Sequence, residues 1–93
     1  MRENMKAVIT VIGKDSVGII AKVSAGCAKY SANILDISQT VIDEYFTMIM
    51  AVDIDKLSVP FNEFVDKMTA QGKADGLEIR VMHENIFNSM HRI

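Results

Sequence analysis

Six apolar segments of this chain change period in a fixed order, and that order limits the possible folds more than any single residue does. Ala7, Ile9 and Val11 alternate with Lys6, Val8 and Thr10, the two-residue repeat of a strand. Ile19, Ile20, Val23, Cys27 and Tyr30 then recur at helical spacing, and Ser31-Ala32-Asn33 breaks that pattern. From Ile34 to Ile42 the chain is extended again, with Leu35, Ile37 and Val41 on one side together with Gln39. Phe46, Met48, Met50, Val52 and Ile54 next alternate with Tyr45, Thr47, Ile49, Ala51 and Asp53. Only Asp43-Glu44 separates these two runs, and so short a connection demands an antiparallel hairpin. Ser58-Val59-Pro60 opens a second helix on Phe61, Phe64, Val65 and Met68, spaced i, i+3, i+4 and i+7, with Gly76 as its stop. Leu77, Ile79 and Val81 alternate with Glu78, Arg80 and Met82 in a last strand ending near His83-Glu84. Beyond it, Ile86, Phe87, Met90 and Ile93 form one apolar face of a short helix.

Strand, helix, strand, strand, helix, strand is the ferredoxin-like βαββαβ order of the α+β class. Right-handed crossovers place both helices on one face of a four-stranded antiparallel sheet, and a short C-terminal helical tail follows. With 93 residues, 49% of them apolar, one core is expected and hence a single domain over 1–93, its core about 5–84 and its tail 85–93. The opposite sheet face would carry Val8, Ile12, Ile42, Tyr45, Ile49, Ala51 and Met82, more apolar surface than a lone subunit leaves wet. Either the tail or a second copy is expected to cover part of it, and a homodimer or higher homo-oligomer extending the sheet edge to edge gains most.

A net charge of −2 with scattered basic residues supplies no field for neutralising phosphates, so nucleic acid is not an expected partner. The aromatic platform of an RNA-binding sheet is also missing, with Tyr45 alone on the exposed face. No apolar run is long enough to span a membrane, and Met1 to Asn4 lead straight into strand pattern, so a cytoplasmic protein is expected. Cys27, the single cysteine, falls in an apolar helix stripe and reads as a small buried thiol. His83 and His91 lack a surrounding ligand set, and Met48 and Met50 read as core filling, so neither metal nor cofactor is expected. An acylphosphatase-like site needs an arginine in the first turn, but the arginines are Arg2, Arg80 and Arg92. With no nucleophile beside a base and no paired carboxylates at readable spacing, an enzyme is not expected.

The first turn is the chemically suggestive segment. Gly13-Lys14-Asp15-Ser16-Val17-Gly18 joins a strand directly to a helix N-terminus, whose unpartnered N–H groups and positive partial charge suit a carboxylate. Gly18 permits close backbone approach of a ligand or a neighbouring helix. Asp15 or Ser16 can equally serve only as a helix cap, and Asn33 only as a left-handed turn residue. Lys14 reads as solvated and able to steer an anion, while Gly26 inside the first helix points to close helix packing.

These same residues carry a family resemblance. From Lys6 through Ile54 the chain resembles an ACT domain, in Gly13-Lys14-Asp15-Ser16-Val17-Gly18-Ile19-Ile20-Ala21 followed by Ala32-Asn33-Ile34-Leu35-Asp36-Ile37-Ser38-Gln39. Its ending, Asn85 to Ile93, resembles that of short stand-alone bacterial ACT proteins of unassigned function, related to the ACT modules of the glycine cleavage system transcriptional repressor. The resemblance implies a small-molecule, amino-acid-binding regulatory protein, a homodimeric metabolite sensor acting through an unidentified protein partner. It places the effector, an amino acid or related carboxylate, between Asp15, Ser16, Val17 and Gly18 of one subunit and Asn33 and Ile34 of its neighbour. On that reading N–H groups at Val17 and Gly18 take the carboxylate, Asp15 takes the ammonium, and Asn33 donates and accepts. The competing expectation is a ligand-free protein–protein interaction or oligomerisation module.

Overall fold

The computed structural model describes residues 5–14 and 18–85. Its elements follow the expected order: β1 (Lys6–Gly13), α1 (Ile19–Lys29), β2 (Asn33–Ile42), β3 (Tyr45–Asp53), α2 (Phe61–Asp75) and β4 (Glu78–His83). The strands form one antiparallel sheet in the order β2-β3-β1-β4. Both helices lie on the same face, because their buried side chains join one cluster with alternate residues of the sheet. This is the ferredoxin-like fold. The helical tail expected over 85–93 lies outside the described residues after Asn85.

Strand alternation builds the floor of the core. Ala7, Ile9 and Val11 of β1 pair with Val52, Met50 and Met48 of β3, and all six are fully buried. Ile79 of β4 joins them opposite Val11. From above, α1 contributes Ile19, Val23 and Cys27 and α2 contributes Phe64 and Met68. Ile20, which the spacing assigns to the buried stripe, is instead 38% exposed, since one step of 100° turns it off the face that Ile19 and Val23 share. Tyr30 follows α1 as its C-cap and meets Phe64 edge to face at 6.0 Å.

The helix ends are set by local chemistry. Pro60 occupies the N-cap of α2 with φ −58°, and its carbonyl accepts the Phe64 N–H at 3.0 Å. Gly76 closes the helix at φ 72°, a left-handed conformation in which a side chain would be strained. Gly26 lies where the helices meet, and an added Cβ there would stand 2.5 Å from Gln71 Oε1 and 3.0 Å from Met68 Sδ, in keeping with the close packing inferred for it.

Strand β2 departs from simple alternation. The register shifts between Ile34 and Asp36, a β-bulge that leaves Leu35 without a partner residue on β3. After it Ile37, Gln39 and Val41 lie opposite Met50, Met48 and Phe46 on the helix side, so Leu35 does not belong to their regular row. The left-handed residue before β2 is Ser31, φ 62°, while Asn33 is already extended; the turn-residue reading of Asn33 is thereby replaced.

Cys27 is fully buried, and burial pushes its thiol up from 9.0 to about 11. The unfolded chain therefore ionises first, so this group's contribution to stability is intact below 9.0 and is lost as pH rises toward about 11. Alkaline unfolding of the parent is expected to steepen across that window relative to Cys27→Ala, and the native thiol is expected to resist thiol reagents until the chain unfolds.

Candidate functional site

The Gly13–Gly18 turn and the start of β2 are the two places singled out by sequence. Along β3, Gly13 is level with Phe46 and Asn33 with Asp53, seven residues apart. At about 3.3 Å per residue the two lie on the order of 23 Å apart along the sheet. One copy of the chain does not bring them together.

At the turn end, Gly18 is the N-cap of α1 at φ 75° and its carbonyl accepts the Lys22 N–H at 2.9 Å. The left-handed backbone is what requires glycine, since a Cβ there would meet no atom within 4 Å. That open space rules out close packing of a neighbouring helix of the same chain as its reason. Asp15, Ser16 and Val17 lie outside the described residues. Lys14 stands 3.7 Å from the Glu44 carboxylate and 5.7 Å from the centre of the Tyr45 ring. These contacts tie the turn to the β2–β3 hairpin, where Asp43 takes φ 56°, and Glu44 offsets the charge with which Lys14 would steer an anion.

At the other end, exposed Asn33 lines a polar recess of about 480 Å³ with Ser31, Asp53, Asp55 and Lys56. An Asp53 carboxylate oxygen accepts the Asp55 N–H at 2.9 Å, and Asp55 in turn accepts the Met5 N–H at 3.0 Å. Two carboxylates, an amide and an ammonium thus converge on one recess, a donor and acceptor set suited to a small zwitterion. Ile34, paired with Val52, is half-buried and packs against the core, and it does not line the recess. Asp53, Asp55 and Lys56 were not singled out as site residues from the sequence, where the only available signal was an acidic, lysine-bearing connection after a strand.

Between the two ends, β2 is exposed along nearly its whole length. Leu35 (47%), Ile37 (36%), Val41 (65%) and Ile42 (63%) are large apolar side chains in contact with solvent. The far sheet face carries Ile12, Tyr45 and Ile49 as expected, interleaved with Thr10, Thr47 and Arg80. The helix-side exposure of Ile37 and Val41 was not anticipated. It arises because β2 is an edge strand whose second half the described helices do not cover. No helix among the described residues is long and apolar enough to cross a membrane.

Residues 6–81 match the model of the ACT domain family. A UPF0237 protein of Clostridium acetobutylicum is 53% identical over 89 residues, 96% of this chain and 100% of the relative. The structure of an ACT domain protein from Streptococcus pneumoniae superposes with a TM-score of 0.81 at 44% identity, covering 91% of this chain and 96% of that one. A structure described as a glycine cleavage system transcriptional repressor shares the fold, with a TM-score of 0.77 at 13% identity over 89% of this chain and 48% of its own. With a family match spanning both helices and reaching into β4, and with the strand order to accompany it, this chain belongs to the ACT domain family.

Proposed function

We propose that the protein is a non-catalytic metabolite sensor that binds a small amino acid across a homodimer interface and passes that state to a protein partner. The family role is regulatory small-molecule binding; the effector class, the dimer and the partner are this reading's additions. The observation that carries it is the separation of the turn from Asn33 by the length of the sheet, with an exposed apolar edge strand between them. If β2 pairs antiparallel with β2 of a second copy, the start of one strand faces the end of the other. That symmetry brings the Asn33 recess level with the partner's Gly13–Gly18 turn, and it covers Ile37 and Val41. The carboxylate then meets N–H groups at Val17 and Gly18, and the ammonium meets Asn33 and the recess carboxylates, with Asp15 as a further acceptor.

A thermal-shift screen against the twenty amino acids and small carboxylates tests this. A ligand at a hundredfold excess over its Kd is expected to add about 2.7 kcal/mol of stability. Asp15→Ala and Asn33→Ala should each diminish the shift without changing the mass in solution. Absence of any shift at millimolar ligand, in a protein that is still dimeric, would favour the second reading, a ligand-free oligomerisation module, for which the exposed Leu35, Ile37, Val41 and Ile42 already argue. A monomer in solution would remove both.

A further inference from the structure

A groove of about 570 Å³ follows the free edge of β4, bordered by all six residues of 77–82, with Val65, Thr69 and Lys73 of α2 as its wall. Successive residues of a strand point to opposite faces, so consecutive ones share a groove only where it runs along the backbone edge. Strand β4 pairs with β1 on its other side, and among the described residues no strand adjoins this edge. Its outward N–H and C=O groups can therefore pair with an added strand. The apolar lining is incompletely covered, since Val65, Thr69, Val81 and Met82 are only half-buried.

The charges around the groove are not balanced. Arg80 is held by the Glu78 carboxylate at 2.9 Å, and the Thr69 hydroxyl donates to the Val65 carbonyl of its own helix at 2.8 Å. Lys73 is exposed and makes no ion pair among the described residues. It lies in the last turn of α2, at the Leu77 end of the groove, and leaves one unmatched positive charge there.

We propose that this edge binds an extended segment of a partner protein as an added strand of about six residues. Apolar side chains at alternate positions face Val65 and Thr69, and a carboxylate faces Lys73, the charge that selects it. Side chains on the other face of the added strand lie beside Arg80 and Met82 at the surface, and polar residues suit them. The exclusion of a second copy as occupant rests on the β2 pairing proposed above. With β2 joined to β2, a β4–β4 contact would extend the sheet from copy to copy without closing, the geometry of a fibre.

Selection of random eight-residue peptides displayed on phage against the full chain tests this. Enriched sequences are expected to alternate apolar and polar residues and to carry Asp or Glu at one end of the alternation. Synthetic copies should slow exchange of the outward-facing amides of β4 and leave those of β2 unchanged. Val65→Lys should weaken their binding by about tenfold or more, the worth of one buried aliphatic side chain. Lys73→Glu should turn the selected preference from acidic to basic residues, and the control Ile49→Lys, on the far sheet face, should bind as the parent does. The proposal is overturned by a lack of enrichment, by enriched sequences without the alternation, by equal binding to the Val65→Lys chain, or by an acidic preference that survives Lys73→Glu. Slow exchange of the outward β4 amides before any peptide is added also overturns it, because the edge is then already taken. Mass in solution reads the β2 pairing separately. A monomer that still enriches these peptides removes the dimeric sensor and keeps this site, whereas a dimer that enriches none does the reverse.

Discussion

Phe64→Ala is expected to cost about 4 kcal/mol, within the range found for emptying an aromatic site in a sealed core. Phe64 is fully buried, roofs the sheet from α2 and is braced edge to face by Tyr30 at 6.0 Å. Ile9, Met48, Met50 and Met68 of the same core cluster are equally buried and held by strand pairing or helix packing. Methionine side chains bend to fill gaps, so part of the cavity will close, but the β-sheet backbone beneath them cannot move into it. A domain of this size has a total stability on the order of 5–14 kcal/mol, so the loss takes a large share of it. Thermal unfolding should fall by about 20 °C. A fall of only a few degrees would mean that the space above the sheet collapses freely, and that the helices are not the rigid lid described here.

The second large effect is expected at Gly72, buried in α2 where the helix crosses β4. A Cβ there would stand 2.8 Å from Ile79 Cγ1 and 2.8 Å from the Leu77 carbonyl oxygen. Alanine is favoured over glycine inside a helix by about 1 kcal/mol, which by itself predicts stabilisation. The contact outweighs it. The Leu77 carbonyl belongs to a backbone pinned by the 2.7 Å hydrogen bond from the Leu77 N–H to the Gly72 carbonyl, so relief requires α2 to lift from β4. Overpacking of this kind costs roughly 1–3 kcal/mol, and a net loss of about 2 kcal/mol is expected for Gly72→Ala in chemical denaturation. Gly26→Ala is the informative contrast, because its Cβ meets the ends of two flexible side chains, Gln71 and Met68, and no backbone, although Gln71 must shift within its 2.8 Å bond to the Lys22 carbonyl. Its loss should stay under about 1 kcal/mol. Equal losses at the two positions would show that helix–helix contact, and not the α2–β4 approach, limits the packing.

Period, turn chemistry and the positions of Pro60 and Gly76 located the four strands and two helices among the described residues to within a residue or two. These signals are local: each depends on residues close in sequence, and the same residues set the backbone there. The turn at Gly13–Gly18 was legible for the same reason, through its glycines, whereas the left-handed φ of Gly18 was not part of that reading. The family pattern added Asn33, which short-range rules favoured only as a turn residue. The bulge at Leu35 escaped both, because a bulge is defined by how a strand pairs and β2 alone carries no record of β3.

The sequence by itself determined which residues form strands, which faces are apolar, and that a glycine-bearing turn opens the first helix. Tertiary structure alone decided which apolar faces are covered. Ile37 and Val41 alternate along β2 much as Met48 and Met50 do along β3, yet the first pair is exposed and the second sealed, because the second half of edge strand β2 has no described helix over it. Assembly of the Asn33 recess was likewise beyond the sequence, since it joins the end of α1 to the connection after β3 across more than twenty residues of chain. Hydrophobic period reports the direction of a side chain relative to its own backbone. What lies in that direction depends on the packing of distant elements, and that packing sets both the exposed β2 edge and the distance between the Gly13 turn and Asn33.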